Sequence, residues 1–365
     1  MGSSDTNQVI LQPHNFFSGR PIIKLAPVCN NTMQFPKKAL FAFNAVVDHV
    51  IYADEAVLAK IEGDYPVIAQ QISESFAWGV EKEITIDGKT SEWMRANFKP
   101  DLKVIGGQAG NAAEQASALG VECLLHTNSA NDELLSLFSH REKIFVAGEE
   151  GFVQASKFTS QTASARHFVF ESRESKTRFI ASYDPTPLHL DDNFSRHILA
   201  EIPVIEKAFI GGLHLAKTPD RLRKFLSEMK KWKEINPKLK LFFEMGQFQS
   251  REALKTAEEE LFPFVDMVGL TDSELAQLGT EMDSLPSAGK SFLFHSPNEQ
   301  LVLPHEKQNA AALEFARRCA SFFAENGRRA TEQELVGYEP KSVESPKRTV
   351  GLGDTFSCAY FLAAD

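Results

Sequence analysis

From about residue 100 onward, short apolar runs rich in β-branched and aromatic residues alternate with helical patterns, and this alternation constrains the fold more than any other feature. Candidate strands lie at residues 102–105, 121–125, 144–147, 208–210, 239–244, 265–270 and 291–295. Helical patterns between them include 109–119, a stretch that begins at Pro219, and 307–326, which is followed by Gly327. This alternation of strands and helices predicts βαβ units and an α/β fold with a doubly wound, mostly parallel sheet flanked by helices.

Two segments do not follow this alternation of strands and helices. Residues 49–100 contain helical patterns and then a strand-like stretch at 83–86 that ends at Asp87-Gly88. Residues 151–185 alternate like antiparallel strands at 152–153, 167–170 and 178–181. We therefore expect a smaller α+β domain, formed by residues 44–104 and 151–186, to be inserted as a lid into a large domain of residues 1–43, 105–150 and 187–365.

The charge of the chain limits its partners. Its 365 residues contain 39 Lys and Arg against 49 Asp and Glu, a net charge of −10. Such an acidic surface argues against nucleic acid or an anionic membrane as a partner. The cysteines Cys29, Cys123, Cys319 and Cys358 form no CxxC pair and are expected to be buried thiols in a reducing compartment. The sequence shows neither a secretory signal nor a membrane-spanning stretch, so a cytoplasmic location is expected.

The strongest local motif lies at residues 349–357, where Gly351 and Gly353 precede Asp354 and an apolar run follows. Glycines let the backbone approach a ligand closely, and amides at the start of a helix form a binding site for phosphate. At the mouth of such a site, Asp354 is placed to accept a proton from an attacking hydroxyl group. An aspartate that only begins a helix after a glycine-rich turn would explain the same residues.

A second motif, Ile105-Gly106-Gly107-Gln108, runs from a strand into a small-residue helix. It is neither a Walker loop nor a GxGxxG fingerprint. Glycines and an amide side chain at the carboxyl end of a strand suit recognition of hydroxyl groups in the crevice of an open α/β sheet. Close packing of a strand against a helix would account for the glycines equally well.

Together, the two motifs resemble the signature of the ribokinase-like sugar kinases, and within them the ADP-dependent branch that includes ADP-dependent glucokinase and phosphofructokinase. The resemblance runs from about Ala39 to the end of the chain. It implies a ribokinase-like fold and a carbohydrate kinase that transfers the β-phosphoryl group of ADP to a hydroxyl group of a sugar or sugar phosphate, giving AMP. It also implies Mg²⁺ as cofactor and ADP as phosphoryl donor.

Carried over by position, the resemblance assigns roles to individual residues. The sugar-binding residues would be Asn44, Asp48, Glu83, Gly107, Gln108 and His167. The catalytic residues would be Asp354, Gly351, Gly353 and the lid residue Arg178, which also reaches the nucleotide together with Val350, Leu352 and His295. Glu244 and Glu274 would hold the metal. Some of these residues also have explanations that involve no ligand. His167 and Arg178 could form a polar edge of a sheet, and Glu244 could be a carboxylate at the end of a strand. Glu274 could be an acidic residue in the first turn of a helix, where the helix dipole stabilises it.

The chain departs from the family pattern at Val46, Phe242 and Thr271, where the pattern has Asn, His and Asn. Loss of a hydroxyl-binding amide at position 46 argues against plain glucose as acceptor. A phosphorylated sugar is a candidate instead, and the basic lid residues Lys157, Arg166, Arg173 and Lys176 are candidate phosphate ligands.

Two alternatives stay open: an ATP-dependent ribokinase-type kinase of a sugar or nucleoside, and a sugar- or nucleotide-binding homologue without catalysis. The expected partners are the small molecules themselves, namely a sugar or sugar phosphate with ADP and AMP. The chain is expected to be a monomer or a small homo-oligomer.

Overall fold

The computed structural model describes residues 33–127, 129–162, 165–184, 188–285, 290–296, 299–305, 309–343 and 346–364. The strands are β1 (Lys38–Ala42), β2 (Val46–Tyr52), β3 (Lys82–Thr85), β4 (Leu102–Gly106), β5 (Glu122–Leu125), β6 (Ile144–Ala147), β7 (Phe152–Gln154), β8 (Arg166–Glu171), β9 (Arg178–Tyr183), β10 (Lys207–Ile210), β11 (Lys240–Glu244), β12 (Met267–Leu270), β13 (Ser291–His295) and β14 (Gln300–Leu303). The helices are α1 (Glu55–Asp64), α2 (Pro66–Trp78), α3 (Gly88–Asn97), α4 (Gln108–Ala118), α5 (Asp132–Ser136), α6 (Asp192–Glu201), α7 (Pro219–Ile235), α8 (Arg251–Thr256), α9 (Asp272–Leu278), α10 (Ala310–Asn326), α11 (Glu332–Leu335) and α12 (Leu352–Ala363).

The large sheet has the strand order β14-β13-β12-β11-β10-β1-β5-β6-β7. The seven inner strands are parallel to one another, and within the described residues only the edge strands β7 and β14 pair antiparallel. The inner strands are apolar along almost their whole length because helices cover both faces, as the burial of all but the first residue of β11 shows. The predicted doubly wound, mostly parallel α/β sheet is confirmed.

Helices pack on both faces of the large sheet. One face carries α4, α10 and α12 in a core of small residues such as Ala112 and Ala316. The other face carries α6, α7 and their neighbours in a core with Phe225 and Trp232. The helix predicted from Pro219 is α7, which begins after the cap Thr218. The helix predicted at 307–326 is described from residue 310 and ends at Gly327, as expected.

The small sheet has the strand order β3-β9-β8-β2-β4. One of its faces packs on α1 to α3 through residues such as Ile51, Phe168 and Phe170. On the other face, Val50 packs against Val350, the residue just before the glycine turn that starts α12. Because Asp48 shares the face of Val50, the polar side chains of this face lie toward the start of α12.

Two strand assignments differ from the sequence prediction. The sequence places 152–153 in the small sheet, but β7 pairs with β6 at the edge of the large sheet. The proposed domain boundary between 104 and 105 falls inside β4, which pairs along its whole length with β2 in the small sheet. A three-residue edge strand carries too little hydrophobic pattern to reveal which sheet it joins.

Within the described part of the chain, no helix is both long and apolar enough to span a bilayer. Cys123, Cys319 and Cys358 are buried free thiols, as predicted, and Cys29 lies outside the described residues.

Candidate active site

The turn at the start of α12 has the geometry that the motif at 349–357 predicts. Gly351 has a φ of +80°, and a Cβ at this position would lie 2.2 Å from Asn111 Oδ1 and 2.8 Å from Arg329 Nη2. Both the conformation and the lack of space therefore require glycine. The amide of Leu352 donates to Thr349 O at 3.2 Å, whereas the amides of Gly353 and Asp354 have no acceptor among the described residues. These two amides lie at the positive end of the helix dipole and are available to an anion.

Asp354 lies half-buried in this first turn. Burial, followed by the negative charge of Glu244, raises the pKa of Asp354 to about 7, although the charges of Arg329, His295 and Arg178 oppose the rise. A carboxyl group with a pKa in this range can exchange a proton near neutral pH, as a general base must.

A buried pair joins the carboxyl ends of β11 and β13. The Nε2 atom of His295 lies 2.9 Å from Glu244 Oε1, and both side chains are less than one-tenth exposed. Burial alone would lower the pKa of His295, but the adjacent carboxylate of Glu244 outweighs it, so the pKa is raised. The second oxygen of Glu244 is buried without a hydrogen-bond partner among the described residues. It approaches the backbone of Gly269, where a Cβ would lie 2.2 Å away.

Glu274 lies at the same end of the sheet, in the first turn of α9, which follows β12 between β11 and β13. Its Oε2 accepts from the amide of Thr271 at 2.8 Å, and the two residues form a capping box. Burial and the charge of Glu244 raise the pKa of Glu274 to about 8. Within the described ranges, no three His, Cys, Asp or Glu residues form a cluster that could hold a metal ion by themselves.

Asp48 and His167 face each other across β2 and β8 of the small sheet. The His167 Nδ1 and Asp48 Oδ1 atoms are 3.4 Å apart, and both side chains are nearly buried. Burial lowers the pKa of His167, but the contact with Asp48 and the charge of Glu83 outweigh it, so the pKa is raised. The Asp48 carboxylate lies against Gly106, where a Cβ would meet it at 2.0 Å.

Glu83, on β3, extends this polar surface. Its Oε1 is buried without a partner among the described residues, as is Nδ1 of His214 in the loop after β10. Burial lowers the pKa of His214, and the charge of Glu83 acts against that shift. Sequence analysis missed His214, although its place just after Gly211-Gly212 at the end of a strand is a usable signal.

The remaining residues that the sequence predicts to bind the sugar lie where three loops pack tightly against one another. Gly107 and Gly212, with φ values of +74° and +80°, both press against Asn44. The Gln108 side chain is fully engaged, because Nε2 donates to Met245 O at 2.8 Å and Oε1 accepts from the amide of Gly212 at 2.7 Å. Gln108 therefore ties the loops after β10 and β11 together.

Arg178, on β9, makes two hydrogen bonds to Glu81, from Nε at 2.7 Å and from Nη2 at 2.8 Å. Its charge also reaches Asp354 and lowers the pKa of that carboxyl group. Arg178 and the start of α12 are thus close enough for their charges to interact. Sequence analysis did not find Glu81.

The four basic lid residues do not form one cluster. Arg166 pairs with Glu92 at 2.8 Å. The Arg173 guanidinium stacks on Tyr52 at 4.0 Å from the ring centroid. Lys157 is exposed, and Lys176 has a φ of 55° in the turn before β9.

Two of the three departures from the family pattern have physical explanations. Phe242 is fully buried between Phe209 and Phe361, with ring centroids 5.0 and 5.2 Å away. Thr271 caps α9 with its own hydroxyl, a role in which Thr and Asn are equivalent. Val46 is a buried residue of β2.

Arg329, beside the start of α12, is the third residue that sequence analysis missed. Its Nη2 donates to Asn111 Oδ1 at 2.8 Å, and its guanidinium stacks on Phe323 at 3.6 Å from the ring centroid. In sequence it follows the glycine that ends α10 and is typical of a solvent-exposed helix terminus, so nothing local marks it as buried.

Comparisons with known proteins show the family and the fold of the chain. A family model described as the ADP-specific phosphofructokinase/glucokinase conserved region matches residues 41–332. No curated protein sequence matches the chain.

Solved structures share the fold at low sequence identity. A hypothetical ADP-dependent phosphofructokinase from Pyrococcus horikoshii OT3 has a TM-score of 0.73 at 17% identity, covering 90% of this chain and 98% of that one. An ADP-dependent kinase solved with fructose-6-phosphate and ADPβS has a TM-score of 0.77 at 15% identity, with coverages of 92% and 95%. A probable sugar kinase from Rhizobium etli CFN 42 has a TM-score of 0.52 at 17% identity, with coverages of 75% and 77%. The predicted ribokinase-like fold is confirmed.

Proposed function

Because this chain belongs to the ADP-specific phosphofructokinase/glucokinase family, we propose that it transfers the β-phosphoryl group of ADP to a hydroxyl group of a sugar or sugar phosphate and releases AMP. The observation that carries the proposal is the position of Asp354. This carboxyl group, with its pKa raised to about 7, lies within the field of Arg178. It shares the first turn of α12 with two amides that have no acceptor in the part of the chain that the structure describes.

Asp354 acts as the general base in this proposal. The acceptor hydroxyl gives its proton to the carboxylate while its oxygen attacks the β-phosphorus. The bond from the β-phosphorus to the bridging oxygen breaks, and AMP leaves. The amides of Gly353 and Asp354 stabilise the charge on the transferred group, as donors fixed in place before the reaction do.

Arg178 acts as the charge clamp, because its planar guanidinium can donate two hydrogen bonds to one phosphoryl group. It lies on β9 of the small sheet, which would form the lid together with α1 to α3, so closure of the lid would bring the clamp to the nucleotide and exclude water. Glu81, which holds the guanidinium through two bonds, orients it.

Mg²⁺ would be held by Glu244 and Glu274. The donor set fits this ion, since Mg²⁺ prefers oxygen ligands and keeps several waters, and Glu244 Oε2 is buried without a partner among the described residues. When bound, the ion would neutralise phosphate charge. The nucleotide phosphates and water would supply its remaining ligands, because two carboxylates leave most of the coordination positions of Mg²⁺ open.

The acceptor would lie over Asp48, His167 and Glu83. A cleft of about 430 Å³ adjoins this surface between β3 and the loops after β10 and β11, and its lining includes Glu83 and Lys217. A carboxylate for hydroxyl groups next to an ammonium group for a phosphate favours a sugar phosphate as acceptor.

The test is AMP formation from ADP and Mg²⁺ with a panel of free and phosphorylated sugars, with ATP as donor in a parallel series. AMP that appears with ADP and a sugar phosphate, at rates well above those with ATP, supports the proposal. A higher rate with ATP would favour the ribokinase-type alternative. Thermal stabilisation by sugars or nucleotides with no AMP formed from any sugar would favour the non-catalytic homologue.

A further inference from the structure

A second polar cavity lies behind the start of α12, on the side of α4 and the carboxyl end of α10. Its volume is about 160 Å³, which is room for several water molecules or one small oxyanion. Four basic residues line it, and Glu114 is the one carboxylate among its described lining residues. The basic residues are Lys103, Arg328, Arg329 and Arg348.

Two of these four cations already have carboxylate partners. Lys103 Nζ lies 2.7 Å from Glu133 Oε1. The Arg328 guanidinium binds Glu334 through both terminal nitrogens. Their charges are therefore largely compensated. The net charge inside the cavity depends on the other two basic residues, Arg329 and Arg348.

Arg329 and Arg348 have no carboxylate partner among the described residues. Arg329 is 7% exposed, and its Nε and Nη1 atoms are buried without a hydrogen-bond partner there. Nε of Arg348 is buried in the same way, and both guanidinium groups stack on Phe323. Burial, followed by the charge of Arg348, lowers the pKa of Arg329 to about 9, as expected for neighbouring cations that lack a counter-ion.

Glu114 does not compensate them both. Its two carboxylate oxygens each lie 3.2 Å from the amide of Ser139. The charge of Asp354 also acts on Arg329 and that of Asp48 on Arg348, but among the described residues neither carboxylate forms an ion pair with these arginines. Buried N–H donors require acceptors, and the forked donors of arginine match the geometry of a tetrahedral oxyanion.

We propose that this cavity binds a tetrahedral oxyanion, either free inorganic phosphate or the phosphate group of an ester, held by Arg329 and Arg348. Arg329 also contacts Asn111 and the backbone at Gly351, so the bound anion supports the turn at the start of α12 from behind. The proposal does not depend on the proposed phosphoryl transfer, because binding is measured without nucleotide or sugar.

Isothermal titration calorimetry with inorganic phosphate measures the site directly. Arg348→Gln is expected to weaken phosphate binding about tenfold or more, since a charge-assisted hydrogen bond is lost. Glu114→Gln, which removes the opposing charge, is expected to tighten it several-fold. Arg196→Gln, on the exposed surface of α6, is the matched control and should leave binding unchanged. Circular dichroism checks that each variant is folded, and Arg348→Lys should restore part of the affinity.

A crystal of the protein soaked in sodium tungstate locates the anion by its anomalous scattering. A peak between Arg329 and Arg348 supports the proposal. A peak only at the amides of Gly353 and Asp354, or phosphate affinity that is the same in wild type and Arg348→Gln, overturns it.

Competition identifies the source of the phosphate. If a sugar phosphate displaces inorganic phosphate, and Arg348→Gln raises the KM for that sugar phosphate, the cavity holds the phosphate group of the ester. If inorganic phosphate binds without such competition, the cavity holds the free ion. Both results support an oxyanion site, and failure of AMP formation in every assay would leave the calorimetric result standing by itself.

Discussion

Replacement of Gly351 by alanine tests how the start of α12 is held in place. The residue has a φ of +80°, a conformation that costs a non-glycine residue about 1–2 kcal/mol. The new Cβ would also lie 2.2 Å from Asn111 Oδ1 and would break the hydrogen bond from Arg329, which as a bond to a charged group contributes about 1.5–3 kcal/mol. Gly351→Ala is therefore expected to lower the free energy of unfolding by about 2.5–5 kcal/mol.

Gly337 provides the matched control. Its φ is +72°, it is exposed, and a Cβ there would meet nothing within 4 Å. Gly337→Ala should therefore lose only the conformational part, about 1–2 kcal/mol. Urea unfolding followed by circular dichroism measures both variants. The rate of AMP formation should fall about 10²-fold in Gly351→Ala, as expected for a small displacement of catalytic groups, and stay unchanged in Gly337→Ala. Equal stability losses in the two variants would refute the reasoning.

Four further predictions concern the candidate catalytic and metal-binding groups. Asp354→Asn should lower kcat for AMP formation about 10²–10⁴-fold, and a rate within about tenfold of wild type would exclude Asp354 as the base. Burial and the charge of Glu244 raise the pKa of Asp354 to about 7, so the base is protonated below that pH and kcat/KM of the wild type should fall as the pH drops through about 7; a flat profile there would contradict the assignment. Arg178→Lys keeps the charge but loses the paired donors, and kcat should fall by about tenfold or more. Arg173→Lys, in the turn between β8 and β9, should retain wild-type kcat, and equal rates in both variants would remove Arg178 from the clamp. Glu244→Gln can still bond to His295 but should raise the Mg²⁺ concentration needed for half-maximal rate about tenfold, and an unchanged Mg²⁺ titration would place the metal elsewhere.

The fold could be predicted because the sequence patterns that indicate its strands, helices and turns each involve only a few neighbouring residues. Each inner strand of the large sheet is a short apolar run, and the helices between them have caps such as Thr218 and stops such as Gly327 that can be recognised from a few neighbouring residues. The turn at Gly351 belongs to the same class, since glycines next to an acid at the start of a helix restrict the backbone locally.

The partners of the site residues could not be predicted, because they meet only in the folded chain. Glu244 and His295 are on separate strands, and Arg329 reaches Asn111 from the other end of the sequence. The hydrogen-bond partners of Gln108 could not be predicted either. Its spacing after Gly106-Gly107 resembles that of a sugar ligand, but the amide is engaged with the loops after β10 and β11.

The role of Phe242 can be assigned only once its position in the fold is known. Next to Glu244 in sequence, it occupies the position of a polar residue in the family pattern. In the fold it fills the space between Phe209 and Phe361 beneath α12. A hydrophobic residue at this position therefore supports the helix that carries Asp354, and the sequence alone could not distinguish that role from loss of a metal-site residue.

The position of β1 has a consequence for how the chain is made. This strand lies between β5 and β10, and Leu40 is paired in register with Leu124 on one side and Ala208 on the other. The second partner leaves the ribosome about 170 residues after β1, which at ordinary synthesis rates is a delay of roughly 10–30 s. Throughout that interval the nascent chain carries an apolar strand edge that nothing yet covers, so this is the stage at which a chaperone would be of most use to it.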